Sequence, residues 1–414
     1  MTKQLLILGG GTGGVIVANR LRRMDPELAI TMIEPSPVHT YQPGLLFVPF
    51  GKGTVEEFQR PLERQLHSGV KLLQTKVESV DINAHTVATT SGDTLRYDVL
   101  VVATGATLLP EETDGLLGEG WGKNAFTFYD PAGSAALAKA MDSFASGRLV
   151  VNVIDMPIKC PVAPLEFSFL AEAFFTDRHV RDQVDITYVT PLDSAFTKPV
   201  ASARLGRLME ERGIKVIPSF NTGQVDESGN RLISYDGQEV HYDLLVSVPL
   251  HGGAPYVSNS PGLGDEINFI PTDEATLQSL VAPEVFVIGD AAGLSVSKAG
   301  SVAHFEGEVI TKNILAFLAG KPLPARFDGH ANCFIETGHR KALLIDFNTS
   351  IEPLPGHFPG PFGLPLLKES WLNHLGKLAF ETMYWHALLP GISIPLIGPE
   401  MPTRGKGSLA VTEL

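Results

Sequence analysis

The chain alternates between short apolar runs and stretches with helical spacing. Gln4–Leu8 is apolar enough to predict a buried strand, and it leads through Gly9–Gly14 into a helical pattern carried by Val17, Leu21 and Met24. Ala29–Ile33 predicts a second strand that ends at Glu34. The runs Tyr97–Val102, Arg148–Ile154, Tyr242–Val248 and Val285–Ile288 predict further buried strands. One helix is expected from about Ala303 to Leu318 and another from about Glu369 to Leu388. The second carries Leu372, Leu375, Ala379 and Met383 on one face, with Asn373, Lys377 and Glu381 elsewhere. Strands alternating with helices predict an α/β fold with two Rossmann-like units. The expected layout is a first unit over 1–110, a second over 111–284, a return to the first over 285–330, and a C-terminal region over 331–414.

Composition narrows this picture. With 44% apolar and 19% charged residues the chain is globular and somewhat poor in charge, and its net charge of −14 argues against nucleic acid as a partner. Two cysteines make no disulfide scaffold, and the histidines show no metal-ligand spacing. Met1–Leu8 lacks the order of a cleavable secretion signal. Residues 353–367 and 382–399 carry no Asp, Glu, Lys or Arg, but Pro390, Gly391 and Pro395 break the longer run, so a spanning helix is not expected. The C-terminal helix is either core-facing or an interfacial anchor with Trp371, Tyr384 and Trp385 at headgroup depth. The second reading makes the protein peripheral, or monotopic, on the cell membrane.

The glycine run has the spacing of a dinucleotide loop. Gly9 permits the turn, Gly11 lets backbone approach a pyrophosphate, and Gly14 lets helix and strand pack closely. Glu34 stands where a carboxylate accepts ribose hydroxyls. Two later strands end in Ala103-Thr104-Gly105 and Gly289-Asp290, strings that resemble the second and third signatures of the two-dinucleotide-domain flavoproteins. That resemblance implies FAD, with Asp290 on the ribityl chain and the helix near Ala303 aimed at the flavin.

A second dinucleotide loop should follow Arg148–Ile154. Residues 155–164 instead contain Pro157, Pro161 and Pro164 and no glycine, so they cannot offer a row of amides to a pyrophosphate. NAD(P)H is therefore not the expected electron donor. In its place the loop carries Cys160, whose thiol is expected to be acidified near a helix start. Cys333 lies far along the chain. There is no Cys-x-x-Cys pair.

The chain resembles the sulfide:quinone oxidoreductases and the related flavoprotein subunit of flavocytochrome c sulfide dehydrogenase. The resemblance rests on Pro37–Gly44, on Cys160 with Glu166, on Cys333-Phe334, and on Leu372–Phe380. It implies that Cys160 and Cys333 form a redox pair attacked by sulfide, with Glu166 as proton acceptor. It implies FAD contacts at Gly9, Gly11, Thr12, Gly14, Glu34, Gln42, Val77, Thr104, Gly105, Gly289, Asp290 and Ala303. Phe334, Phe362 and Tyr384 are the implied contacts of a membrane quinone. No cysteine occurs in Asn124–Tyr129, so the FAD is expected to be non-covalent. Lys198 stands where some members place a histidine. A type II NADH:quinone oxidoreductase and a flavocytochrome-type sulfide dehydrogenase are the alternatives. The implied partners are sulfide, quinone and a lipid surface; homo-oligomerisation is left open.

Overall fold

The protein was analysed as a computed structural model that describes residues 2–226 and 228–408. Five parallel strands form the first sheet, in the order Val285–Val287, Val99–Val102, Gln4–Leu8, Ala29–Ile33, Val70–Leu73. Alternation within these strands divides the core in two. Leu5, Ile7, Val99, Val101 and Phe286 pack on one side; Leu6, Leu8, Leu100, Val102, Val285 and Val287 pack on the other. Both faces are covered, which is why the strands read as unbroken apolar runs. Helix α1, Thr12–Met24, follows the first strand directly.

The second sheet is also five-stranded and parallel, in the order Ala125–Phe126, Leu244–Val248, Gly147–Val153, Val184–Val189, Ile214–Ile217. The α/β class with two Rossmann-like sheets is thus the observed architecture. Helix α2, Ala163–Asp177, follows the glycine-free loop. The chain then returns to the first sheet, and helix α3, Gly300–Leu318, begins three residues before Ala303 and packs beside α1.

The C-terminal region is a small sheet capped by a helix. Ala331–Gly338 pairs antiparallel with Lys341–Phe347, setting Cys333 opposite Ile345. Helix α4, Trp371–Met383, starts at a Ser370 cap whose hydroxyl accepts from the Asn373 amide, and a π-turn over Tyr384–Leu388 continues it.

Helix α4 faces the opposite way from a core helix. Trp371, Leu372, Leu375 and Leu378 are exposed, whereas Asn373 is buried and its amide donates to Pro365 O and Lys368 O. The outward apolar face excludes the core-facing reading. Tyr384 and Trp385 turn inward instead of outward, into a cluster with His39 and Tyr41, and Arg60 stacks on Trp385 at 4.2 Å. Their expected headgroup placement is therefore corrected: the π-turn rotates them off the exposed face. Among the described residues no helix is long and apolar enough to cross a membrane.

Candidate active site

A cavity of about 320 Å³ runs from the glycine loop to the start of α2. The glycines in and beside it divide into two kinds. Gly9 has φ +101°, and a Cβ there would lie 2.4 Å from Ala103 O; a Cβ on Gly14 would lie 2.0 Å from Gly9 O. These two hold strand, turn and helix together. Gly11, Gly105, Gly289 and Gly300 line the cavity, and a Cβ on any of them would meet nothing within 4 Å. The missing side chains leave a channel along which backbone can approach an extended ligand. Glu34 lies at one end, its carboxylate accepting from Gly10 N at 2.7 Å and Ser36 N at 2.8 Å. Asp290 lies at the other, its carboxyl raised by burial against the opposing pull of Lys298 and Lys159. Thr12, Gln42, Thr104 and Ala303 also line the space.

The far end of the cavity holds sulfur and charge. Cys160 sits in the left-handed region at φ 49°; its N–H donates to Lys298 O at 2.6 Å, and its carbonyl accepts from Ala163 N and from the Tyr129 hydroxyl. Glu166, one turn into α2, is 1% exposed. Its Oε1 accepts from Lys377 Nζ at 2.8 Å and from Glu336 N at 2.9 Å. Lys377 also donates to Phe334 O at 3.1 Å. The Glu166–Lys377 pair thus ties α2 and α4 to the strand immediately after Cys333. Cys160, Glu166 and Lys377 line the cavity; Cys333 lies behind them, near enough that charge on the Cys160 thiolate opposes its ionisation. Both cysteines are free thiols here.

The electrostatics correct one expectation. Cys160 does not open the helix, because α2 starts at Ala163. Burial and the Glu166 carboxylate push its thiol up to about 12, outweighing Lys377 and the Ala163 amide, which pull it down. Burial raises Cys333 as well. Burial also raises Glu166, whereas Lys377, which burial alone would lower, is held above its usual range by Glu166, Cys160 and Glu336 together.

Several other expected residues fall outside the cavity. Gly14 acts in packing. Val77 lies on Val77–Asp81 of a separate three-stranded sheet, beside the second core cluster. Phe334 packs beneath Gly376 of α4, and Phe362 is fully exposed. Lys198 is held at the surface by Asn348 O and Glu352. Tyr384 reaches the cavity, with its hydroxyl engaged by Thr12 and His39. Sequence reasoning gave no role to Lys159, Lys298, Lys377 or His39. For Lys377 a signal existed, since it is the only lysine or arginine between Lys368 and Arg404.

Comparison with known proteins places this geometry. The family model for pyridine nucleotide-disulphide oxidoreductases matches residues 3–144. The mitochondrial sulfide:quinone oxidoreductase of Mus musculus is 26% identical, covering 94% of this chain and 86% of its own length. That of Dictyostelium discoideum is 27% identical, with coverages of 94% and 86%. The chain is thus similar over nearly its whole length to sulfide:quinone oxidoreductases. The crystal structure of the sulfide:quinone oxidoreductase from Aquifex aeolicus superposes with a TM-score of 0.82 at 21% identity, covering 94% of this chain and 92% of that one, so the fold is shared along nearly the whole length. The match of residues 3–144 to the pyridine nucleotide-disulphide oxidoreductases implies FAD, and the open channel between Glu34 and Asp290 fits an extended dinucleotide.

Proposed function

We propose that the protein oxidises sulfide to sulfane sulfur or polysulfide at Cys160 and Cys333 and delivers the electrons to a membrane quinone through non-covalent FAD. The observation that carries this reading is that Cys160 lines the cofactor cavity within electrostatic reach of Cys333, the other cysteine of the chain, beside the buried Glu166–Lys377 pair. In the oxidised pair, hydrosulfide attacks one sulfur of the disulfide, a persulfide forms there, and the other sulfur leaves as thiolate. Glu166 would take the proton that sulfide releases, a role suited to a carboxyl raised by burial. FAD held in the channel between Glu34 and Asp290 would supply the two-electron acceptor that links sulfide oxidation to quinone.

NAD(P)H is disfavoured on the same wall of the cavity. Lys159 and Cys160 line it where a phosphate-binding loop would present amides, and Pro157, Pro161 and Pro164 remove donors from the segment. Anaerobic sulfide should therefore bleach the bound flavin within the mixing time of a hand-operated experiment, and NADH should leave it oxidised. Acid precipitation should then free the flavin into the supernatant. Rapid bleaching by NADH would transfer the assignment to a type II NADH:quinone oxidoreductase.

The quinone would enter from a lipid surface. Trp371, Leu372, Leu375 and Leu378 form the exposed face of α4, with Phe362, Ile392 and Leu396 also exposed in the C-terminal region. Burying one such leucine is worth about 1.5–3 kcal/mol, enough in concert for interfacial binding without a spanning helix. Phe334, beneath Gly376, is proposed to line the route inward. Replacing Leu372, Leu375 and Leu378 by glutamine should release the protein from liposomes and raise KM for a long-chain quinone, with flavin reduction by sulfide unchanged. Undiminished liposome binding by the triple variant would defeat the anchor.

A further inference from the structure

The hydroxyl of Tyr384 is committed to the dinucleotide loop. It lies 2.8 Å from Thr12 Oγ1 and 2.6 Å from His39 Nε2. The His39 ring is buried, and its Nδ1 is 2.9 Å from Gly10 O. A carbonyl oxygen can only accept, so Nδ1 carries the proton of the neutral ring and Nε2 is the acceptor. Burial keeps the ring below the usual histidine range and so favours that neutral form. The hydrogen bonds therefore run one way: Thr12 hydroxyl to Tyr384 oxygen, Tyr384 hydroxyl to His39 Nε2, His39 Nδ1–H to Gly10 O.

This chain fixes the orientation of a peptide. In a planar trans peptide the C=O of Gly10 and the N–H of Gly11 point in opposite directions. Holding Gly10 O against His39 turns Gly11 N–H away from that ring. Gly11 lines the cavity, open space surrounds the position of its missing Cβ, and its N–H makes no hydrogen bond among the described residues. Glu34 fixes the preceding peptide by accepting from Gly10 N. The amide best placed for a pyrophosphate is thus aimed by a residue far along the chain, in the C-terminal π-turn.

We propose that Tyr384 is a positioning residue for the FAD pyrophosphate: acting through His39, it holds the Gly10–Gly11 peptide with its amide turned into the cavity, and so makes the C-terminal segment part of the cofactor site. The proposal rests on the dinucleotide cavity and is independent of the sulfide reading. It also assigns the Tyr384 hydroxyl to the cofactor loop, away from a direct role with quinone.

Tyr384→Phe isolates the hydroxyl, because it keeps the ring that packs 4.8 Å from Tyr41. The π-turn stays docked on α1 by other bonds: Asn19 Nδ2 donates to Leu389 O at 3.1 Å and Arg20 to Gly391 O at 2.9 Å. FAD affinity is measured by titrating apoprotein with FAD and following flavin fluorescence. Tyr384→Phe should weaken binding about tenfold and leave the unfolding midpoint of the apoprotein unchanged. Tyr41→Phe, in the same ring cluster, should leave the affinity unchanged. Adding Tyr384→Phe to His39→Leu should weaken binding no further than His39→Leu alone, since both break one chain of bonds. Unchanged FAD affinity in Tyr384→Phe overturns the proposal, as does full additivity in the double variant. A raised quinone KM with normal FAD affinity would return Tyr384 to the quinone site.

Discussion

Cys333→Ser should lower sulfide-dependent quinone reduction by on the order of a thousandfold or more, and Cys160→Ser should do the same. The reaction needs one sulfur to receive the incoming sulfur and a second to leave as thiolate. A serine oxygen forms no stable bond to sulfur and leaves poorly, so either replacement stops the exchange. Because the two act as a unit, the double variant should be no slower than either single one. The change is nearly isosteric, and neither residue belongs to the glycine channel between Glu34 and Asp290, so FAD content should stay normal. Stopped-flow reduction of the flavin by sulfide separates this step from quinone chemistry. Wild-type reduction rates in both single variants would show that the thiols only fill space.

The second large effect is expected at Lys377. Its ammonium meets Glu166 and Phe334 O in the interior, so Lys377→Met strands a buried carboxylate and leaves a carbonyl unpaired. Removing one member of a buried ion pair costs about 3–5 kcal/mol, which should appear as a lower midpoint in urea. The same pair tunes Cys160, and the sign differs between its members. The Glu166 carboxylate raises the Cys160 thiol and Lys377 lowers it. Glu166→Gln should therefore shift the pH profile of Cys160 alkylation to lower pH, and Lys377→Met should shift it to higher pH. Rates with iodoacetamide in a Cys333→Ser background read Cys160 alone. Shifts in the same direction would mean that the pair does not act on the thiol through its charges.

The interfacial reading of the tail illustrates how far periodicity reaches. Spacing identified an apolar face at Leu372, Leu375 and Ala379, and that face is present. Its direction followed from partners that spacing does not contain: Asn373 and Lys377 find acceptors only on the inner side, so the polar face turns inward. Tyr384 and Trp385 left the exposed face because the helix continues as a π-turn there, a change of winding that no hydrophobic pattern records. The pKa of Cys160 was misread for a related reason. A nearby helix start is visible in sequence, but burial and a carboxylate from the next turn depend on packing, and they dominate.

The sequence by itself determined the two parallel sheets, the glycine loop with Glu34, the strand ends at Ala103–Gly105 and Gly289-Asp290, and the three prolines that stand without a glycine in residues 155–164. Each of these depends on local chemistry: which residues tolerate a turn, which carry a donor, which bury a whole strand. Only the tertiary structure decided that Cys333 comes within electrostatic reach of Cys160, that Glu166 is braced by Lys377, and that Tyr384 closes on His39 and Thr12. Those pairings join segments with no sequence period in common. They exist because the Cys333 strand packs onto α2, α4 packs onto that strand and the segment after α4 docks on α1, where a buried charge or hydroxyl must find a partner or be destabilising.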